Sequence, residues 1–107
     1  MQINNISNFK KGWFVGDFEP SMFRNPFFEV AHQKHEAGHK TPPHFHKVTT
    51  ELTYIVKGKM RVGDQILSEG SMFLYEKGEI ADSEVIEDVD ILVLRYPSIP
   101  TDKYFVE

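Results

Sequence analysis

Apolar residues along this chain recur with a short period and are interrupted every eight to twelve residues by turn signals, the pattern of a β-sandwich or barrel. Trp13 to Phe18 reads as a first strand, closed by Glu19-Pro20-Ser21, and Phe27 to His35 as a longer one entered from Asn25-Pro26. Gly38 to Pro43 reads as loop, because Pro42-Pro43 offer no ladder donors and bias Thr41 away from helix. Further strands are predicted over His44 to His46, Glu51 to Lys57, Lys59 to Val62, Gln65 to Leu67 and Met72 to Tyr75. Gly63-Asp64 suits a two-residue type II′ hairpin, and Lys77-Gly78 a turn. Ile80 to Ile86 and Val89 to Tyr96 predict a last hairpin around Glu87-Asp88, with Pro97 and Pro100 ending the sheet. Nothing carries the i, i+3, i+4, i+7 spacing of a major helix, although a short helical turn is expected near Ser21 to Asn25. The expected fold class is all-β, with eight to ten strands.

Composition narrows the class. With 107 residues, the chain is expected to form one domain, large enough for a core, and 40% hydrophobic and 13% aromatic residues supply the material and argue against disorder. No apolar run approaches the roughly 20 residues that span a bilayer. The first residues lack the apolar core of a secretory signal. Zero cysteines exclude disulfides and thiolate sites. A cytoplasmic protein without membrane partners is the expectation. The net charge is −4 overall, with no clustered basic footprint of the kind nucleic acid demands, so no nucleic-acid partner is expected. Seven acids stand between Glu76 and Asp90 against Lys77 alone, which reads as a solvated sheet edge and its loops.

Candidate chemistry concentrates in one segment, GHKTPPHFHKVTTELTYIVKG, from Gly38 to Gly58. His44 and His46 are two apart, so on an extended strand both imidazoles leave the same face. Glu51 follows after a Val-Thr-Thr stretch able to turn the chain. Two imidazoles and a carboxylate are suitable donors for a divalent iron, manganese, nickel or zinc ion. Three protein ligands leave coordination positions open to water or substrate, which distinguishes a reactive site from a closed structural one.

The same segment resembles the first motif of the cupin superfamily, G-x5-H-x-H-x3,4-E-x6-G, with Gly38, His44, His46, Glu51 and Gly58 in all five fixed positions. A second cupin motif, G-x5-P-x-G-x2-H-x3-N, has a partial counterpart from Gly70. Gly70 and Gly78 fit, whereas Glu76 stands in place of proline, Ala81 in place of the last metal-binding histidine and Val85 in place of asparagine. The resemblance implies a double-stranded β-helix, or jelly-roll, barrel that binds one divalent metal and acts on a small molecule by dioxygenase, isomerase or lyase chemistry. It also implies a homodimer. That expectation agrees with the aromatics crowded ahead of the motif (Trp13, Phe14, Phe18, Phe23, Phe27 and Phe28), which exceed what a narrow barrel interior holds.

Two other functions fit the same residues. One is a non-catalytic barrel binding a sugar-like or nucleotide-like ligand with little or no metal. The other is a metal-independent sugar epimerase or isomerase, with His44 or His46 as base, Glu51 orienting it and Tyr75 as acid. Tyr75, ending a strand, and Ser83, sharing the inward face with Ala81, are the candidate ligand-binding residues. Asp82 and Glu84 are expected to face outward. Tyr54 reads as packing, at most one of His32 and His35 faces the interior, and His39 reads as exposed.

Overall fold

The computed structural model describes residues 1–107. It contains eight strands: β1 (Trp13–Val15), β2 (Glu29–His35), β3 (Lys40–Phe45), β4 (Thr50–Val62), β5 (Gln65–Ser68), β6 (Met72–Tyr75), β7 (Ala81–Tyr96) and β8 (Tyr104–Phe105). All the pairings between these strands are antiparallel. The spine is the β4–β7 ribbon, paired from Thr50↔Tyr96 to Val62↔Ser83. The free edge of β7 is shared by β2 and β3, and that of β4 by β6 and β5.

Register slips three times in the ribbon, between Ile55 and Met60. Such bulges bend a strand, and here they also reset its alternation, so that Ile55 and Met60 both face inward. Ala31, Ile55, Met60, Val85, Val89, Ile91 and Val93 form one buried cluster. Its members come from both halves of the ribbon, so the two halves face each other around a common interior. The structure is an all-β double-stranded β-helix.

Several elements differ from expectation. The two strands predicted on either side of Gly58 are one strand, β4. Gly58 sits at the bulge with φ 99°, and a Cβ there would lie 2.1 Å from the Asp88 carbonyl oxygen, so only glycine lets the ribbon close. The hairpin predicted at Glu87-Asp88 is absent, because that pair lacks the positive φ of a tight turn and β7 runs through it. The acidic stretch therefore lies largely on a central strand rather than an edge. Its acids are met by cations on neighbouring strands: Asp82 by Arg61, Glu84 by Lys40 and Glu87 by Lys59.

Pro42-Pro43 lie inside β3 rather than in a loop. A register shift between Thr41 and His44 takes both out of the ladder, which is where a sheet tolerates proline. The sheet continues beyond Pro97 and Pro100, since β8 pairs with β3. Strand β1 is shorter than predicted, and no helical turn forms at residues 21–25; a 3₁₀ turn lies instead at Ile6–Asn8. The Gly63-Asp64 hairpin forms as read, with Gly63 alone at positive φ (58°).

Candidate metal centre

His44 lies in β3, His46 one residue beyond its end, and Glu51 near the start of β4. The intervening Lys47–Thr49 turn brings them together. Asp102 holds that turn: its carboxylate accepts the backbone N–H groups of Lys47, Val48 and Thr49 at 2.9, 2.9 and 2.8 Å. Burial alone would push the Asp102 carboxyl up. The three N–H donors outweigh burial and hold it below the ordinary range.

One potential ligand atom from each of His44, His46 and Glu51 lies within 4.8 Å of the other two. The His44 Nδ1 is 2.9 Å from the Pro42 carbonyl oxygen. Donation to that oxygen puts the proton on Nδ1 and leaves Nε2 as a lone-pair donor, the arrangement a metal-bound imidazole adopts. His46 is 2% exposed, and its Nε2 has no hydrogen-bond partner. Burial lowers its pKa, with Arg95 and His44 adding to the effect against the opposing Glu51 charge, so the ring is neutral as a ligand must be. The His46 Nε2 and a Glu51 carboxylate oxygen are 3.7 Å apart. That is too long for a hydrogen bond and close to the roughly 3–3.5 Å between donors that share one ion at about 2.1 Å each. A buried, neutral, unpartnered nitrogen facing a carboxylate at that distance fits a divalent cation.

No family model matches the chain, and neither does any curated protein. Solved structures do. KdgF from Halomonas superposes with TM-score 0.65 at 24% identity, over 70% of this chain and 74% of its own. A cupin-superfamily sugar phosphate isomerase from Silicibacter pomeroyi gives TM-score 0.63 at 19% identity, over 76% and 57%. This chain has the cupin fold. The DMSP lyase DddQ from Ruegeria pomeroyi gives TM-score 0.69 at 14% identity, over 88% of this chain but 49% of the lyase.

Within the cupin barrel, His44 and Glu51 of the triad border a cavity of about 880 Å³. Tyr75 and Ser83 line it beside His44, Glu51 and Ala81, and His46 adjoins them through its place in the triad. Strand register sets Glu29, Arg95, Glu51 and Tyr75 side by side across β2, β7, β4 and β6. Burial, opposed by a backbone hydrogen bond from Asp82 and reinforced by the nearby Glu51 charge, raises the pKa of the Tyr75 phenol. Tyr75 therefore holds its proton at neutral pH.

Arg95 is the residue that motif reading missed. Its Nη1 lies 3.3 Å from a Glu29 carboxylate oxygen and its Nε 3.6 Å from Glu51. Its guanidinium also stacks over Trp13, 4.5 Å from the ring centroid. Ser98 donates to the other Glu29 oxygen at 2.8 Å. The signal was present in the strand, since Val89, Ile91, Val93 and Arg95 alternate onto one face, and a charge on an apolar face needs a partner. Tyr54 faces outward, 37% exposed, contrary to the packing role expected of it. Of the remaining histidines, His32 faces outward to Asp90, and His35 turns inward. His39, exposed as expected, stacks on His35 at 4.2 Å between centroids.

Proposed function

We propose that this cupin binds one divalent transition metal through His44, His46 and Glu51 and acts on a small polar molecule in the cavity, in an isomerase or lyase reaction. The buried His46 Nε2, unpartnered and 3.7 Å from Glu51, is the observation that carries the metal reading. Bound there, the ion would polarise a substrate oxygen as a Lewis acid. The chain's own residues do the rest. Arg95 pairs with Glu51 and orients it, and Tyr75, one strand over, keeps a proton to donate. Ser83 offers a hydroxyl to a bound ligand. The isomerase and lyase among the similar folds support proton-transfer chemistry of this kind. The metal-free epimerase reading needs Glu51 hydrogen-bonded to its histidine base, and the 3.7 Å separation does not supply that bond.

Purified protein loaded separately with zinc, nickel, manganese and iron(II) is expected to take up about one ion per chain with at least one of them. His46→Ala, which removes one of three ligands, should lose it. Elemental analysis finding no ion on the wild type after all four loadings would refute the metal reading.

A further inference from the structure

The chain is acidic, yet its cavity is not. Lys11, Lys34, Lys40, Arg95 and Lys103 line it, and Glu51 is the only acid among the lining residues. Lys34 leaves β2 on the outward face that it shares with His32, Lys40 is directed to Glu84, and Arg95 is held between Glu29 and Glu51. Lys11 and Lys103 have no carboxylate partner.

Both lysines border the cavity, Lys11 on a pinned turn and Lys103 with its ammonium 5.4 Å from the Phe105 ring centroid. Lys11 is the one non-glycine residue with a positive φ (52°), followed by Gly12 at 81°. The turn they form is closed by the Trp13 N–H donating to the Lys10 carbonyl at 3.0 Å. It is pinned to β2 by Gln33 Nε2 donating to the Lys11 carbonyl at 2.9 Å and by the His32 N–H donating to the Gly12 carbonyl at 3.0 Å. A Cβ on Gly12 would lie 1.9 Å from the His32 carbonyl oxygen, so the turn sits as close to β2 as the backbone allows. A left-handed non-glycine residue is a local cost that folds keep mainly where geometry matters. Lys103 follows Asp102, the residue that clamps the metal turn. Partial desolvation, then the nearby charges of Arg95 and Lys11, lowers the Lys103 pKa against the opposing pull of Glu51. Three cations from three separate segments thus border the cavity that Glu51 also lines, and like charges there repel one another.

We propose that Lys11, Lys103 and the exposed side of Arg95 form an oxyanion subsite that takes the carboxylate or phosphate of a small substrate. The inference deepens the functional reading above and rests on it for where the reacting end sits: the anionic end at the lysines, the remainder reaching toward His44 and Glu51. The substrate class is then a small polar acid or phosphate ester rather than a neutral sugar. Lys11 and Lys103, which no carboxylate pairs, gain a counter-charge when an anion lies between them.

The test titrates metal-free protein with malonate and with inorganic phosphate in low-salt buffer by calorimetry. Wild type is expected to bind at least one of them saturably. Lys11→Ala and Lys103→Ala should each weaken binding about tenfold, the size of one charge-assisted hydrogen bond. Lys59→Ala, whose ammonium pairs with Glu87 and does not line the cavity, should leave it unchanged. Lys11 and Lys103 are exposed and Lys59 is half-buried, and a melting curve checks that each variant folds. No saturable binding to wild type, or equal affinity in the Lys11/Lys103 double variant, overturns the proposal. Anion binding confined to metal-loaded protein and indifferent to the lysines overturns it too, since the ion would then be holding the anion. Ion stoichiometry judges the metal reading separately, so either can fail alone.

Discussion

His44 and Ala81 are Cα partners across β3 and β7, and Ala81 is nearly buried at the cavity wall. A histidine at position 81 would therefore leave the strand beside His44, on the same inward face. Ala81→His is expected to raise zinc affinity at least tenfold with the fold intact, because a fourth protein ligand replaces a water. Competition against a chelating dye measures it, and unchanged affinity in a folded variant would show that position 81 does not reach the ion. The triad was legible because His-x-His alternation and the Glu51 offset are local properties of the chain. Arg95 was not, because it is 44 residues away and meets Glu51 only through the register of two long strands. Asp102 was hidden for a related reason: a carboxylate that accepts backbone N–H groups leaves no mark in the residues it holds.

Among the elements, the Lys47–Thr49 turn is the one the site depends on most. Its three N–H groups have one acceptor between them, and that acceptor lies more than fifty residues downstream. Asp102→Ala would strand them, and is expected to cost about 3 kcal/mol of stability. Metal affinity should fall along with it, since His46 and Glu51 flank the turn. Urea denaturation and metal titration of the same variant check both effects, and full affinity at reduced stability would confine Asp102 to a folding role. Strand number and most strand centres followed from period-two alternation. The errors fell at β4, β7 and β3, where glycine, Glu87-Asp88 and the proline pair looked like stops. In each case a bulge absorbed the irregular residue and the strand continued, because pairing with a long neighbour outweighs a local break.

For the molecule as a whole, the aromatics crowded ahead of the motif divide: Trp13, Phe14, Phe18 and Phe28 are half-buried, and Phe23 and Phe27 are exposed. A more continuous apolar surface lies on the outer face of β6, β4 and β7. Tyr54 has both Met72 and Leu92 as register partners, and Leu52 has Leu74 and Leu94. Met72, Leu74 and Leu92 are 61%, 45% and 41% exposed, and those two rows carry no charge on the three strands. An uncharged sheet face, rimmed at one end by His32 and Asp90, can lie against its own copy without repulsion. The protein is expected to be a dimer in solution through this face, and Leu92→Glu to make it monomeric. Light scattering at micromolar concentration decides it, a wild-type mass of 12.4 kDa being the contrary result. Inside each protomer the two sides of the metal site are built unequally. Glu51 and Arg95 stand on strands paired along both edges. His44 lies at the end of β3, whose outer neighbour is the two-residue β8, and His46 begins the turn that is tied by Asp102 and by the Gly78 N–H donating to the His46 carbonyl at 2.7 Å. Local opening favours the segment with the fewest ties. An ion held there is thus expected to leave by opening of the β3–β8 end, with exchange proceeding while the ribbon stays folded.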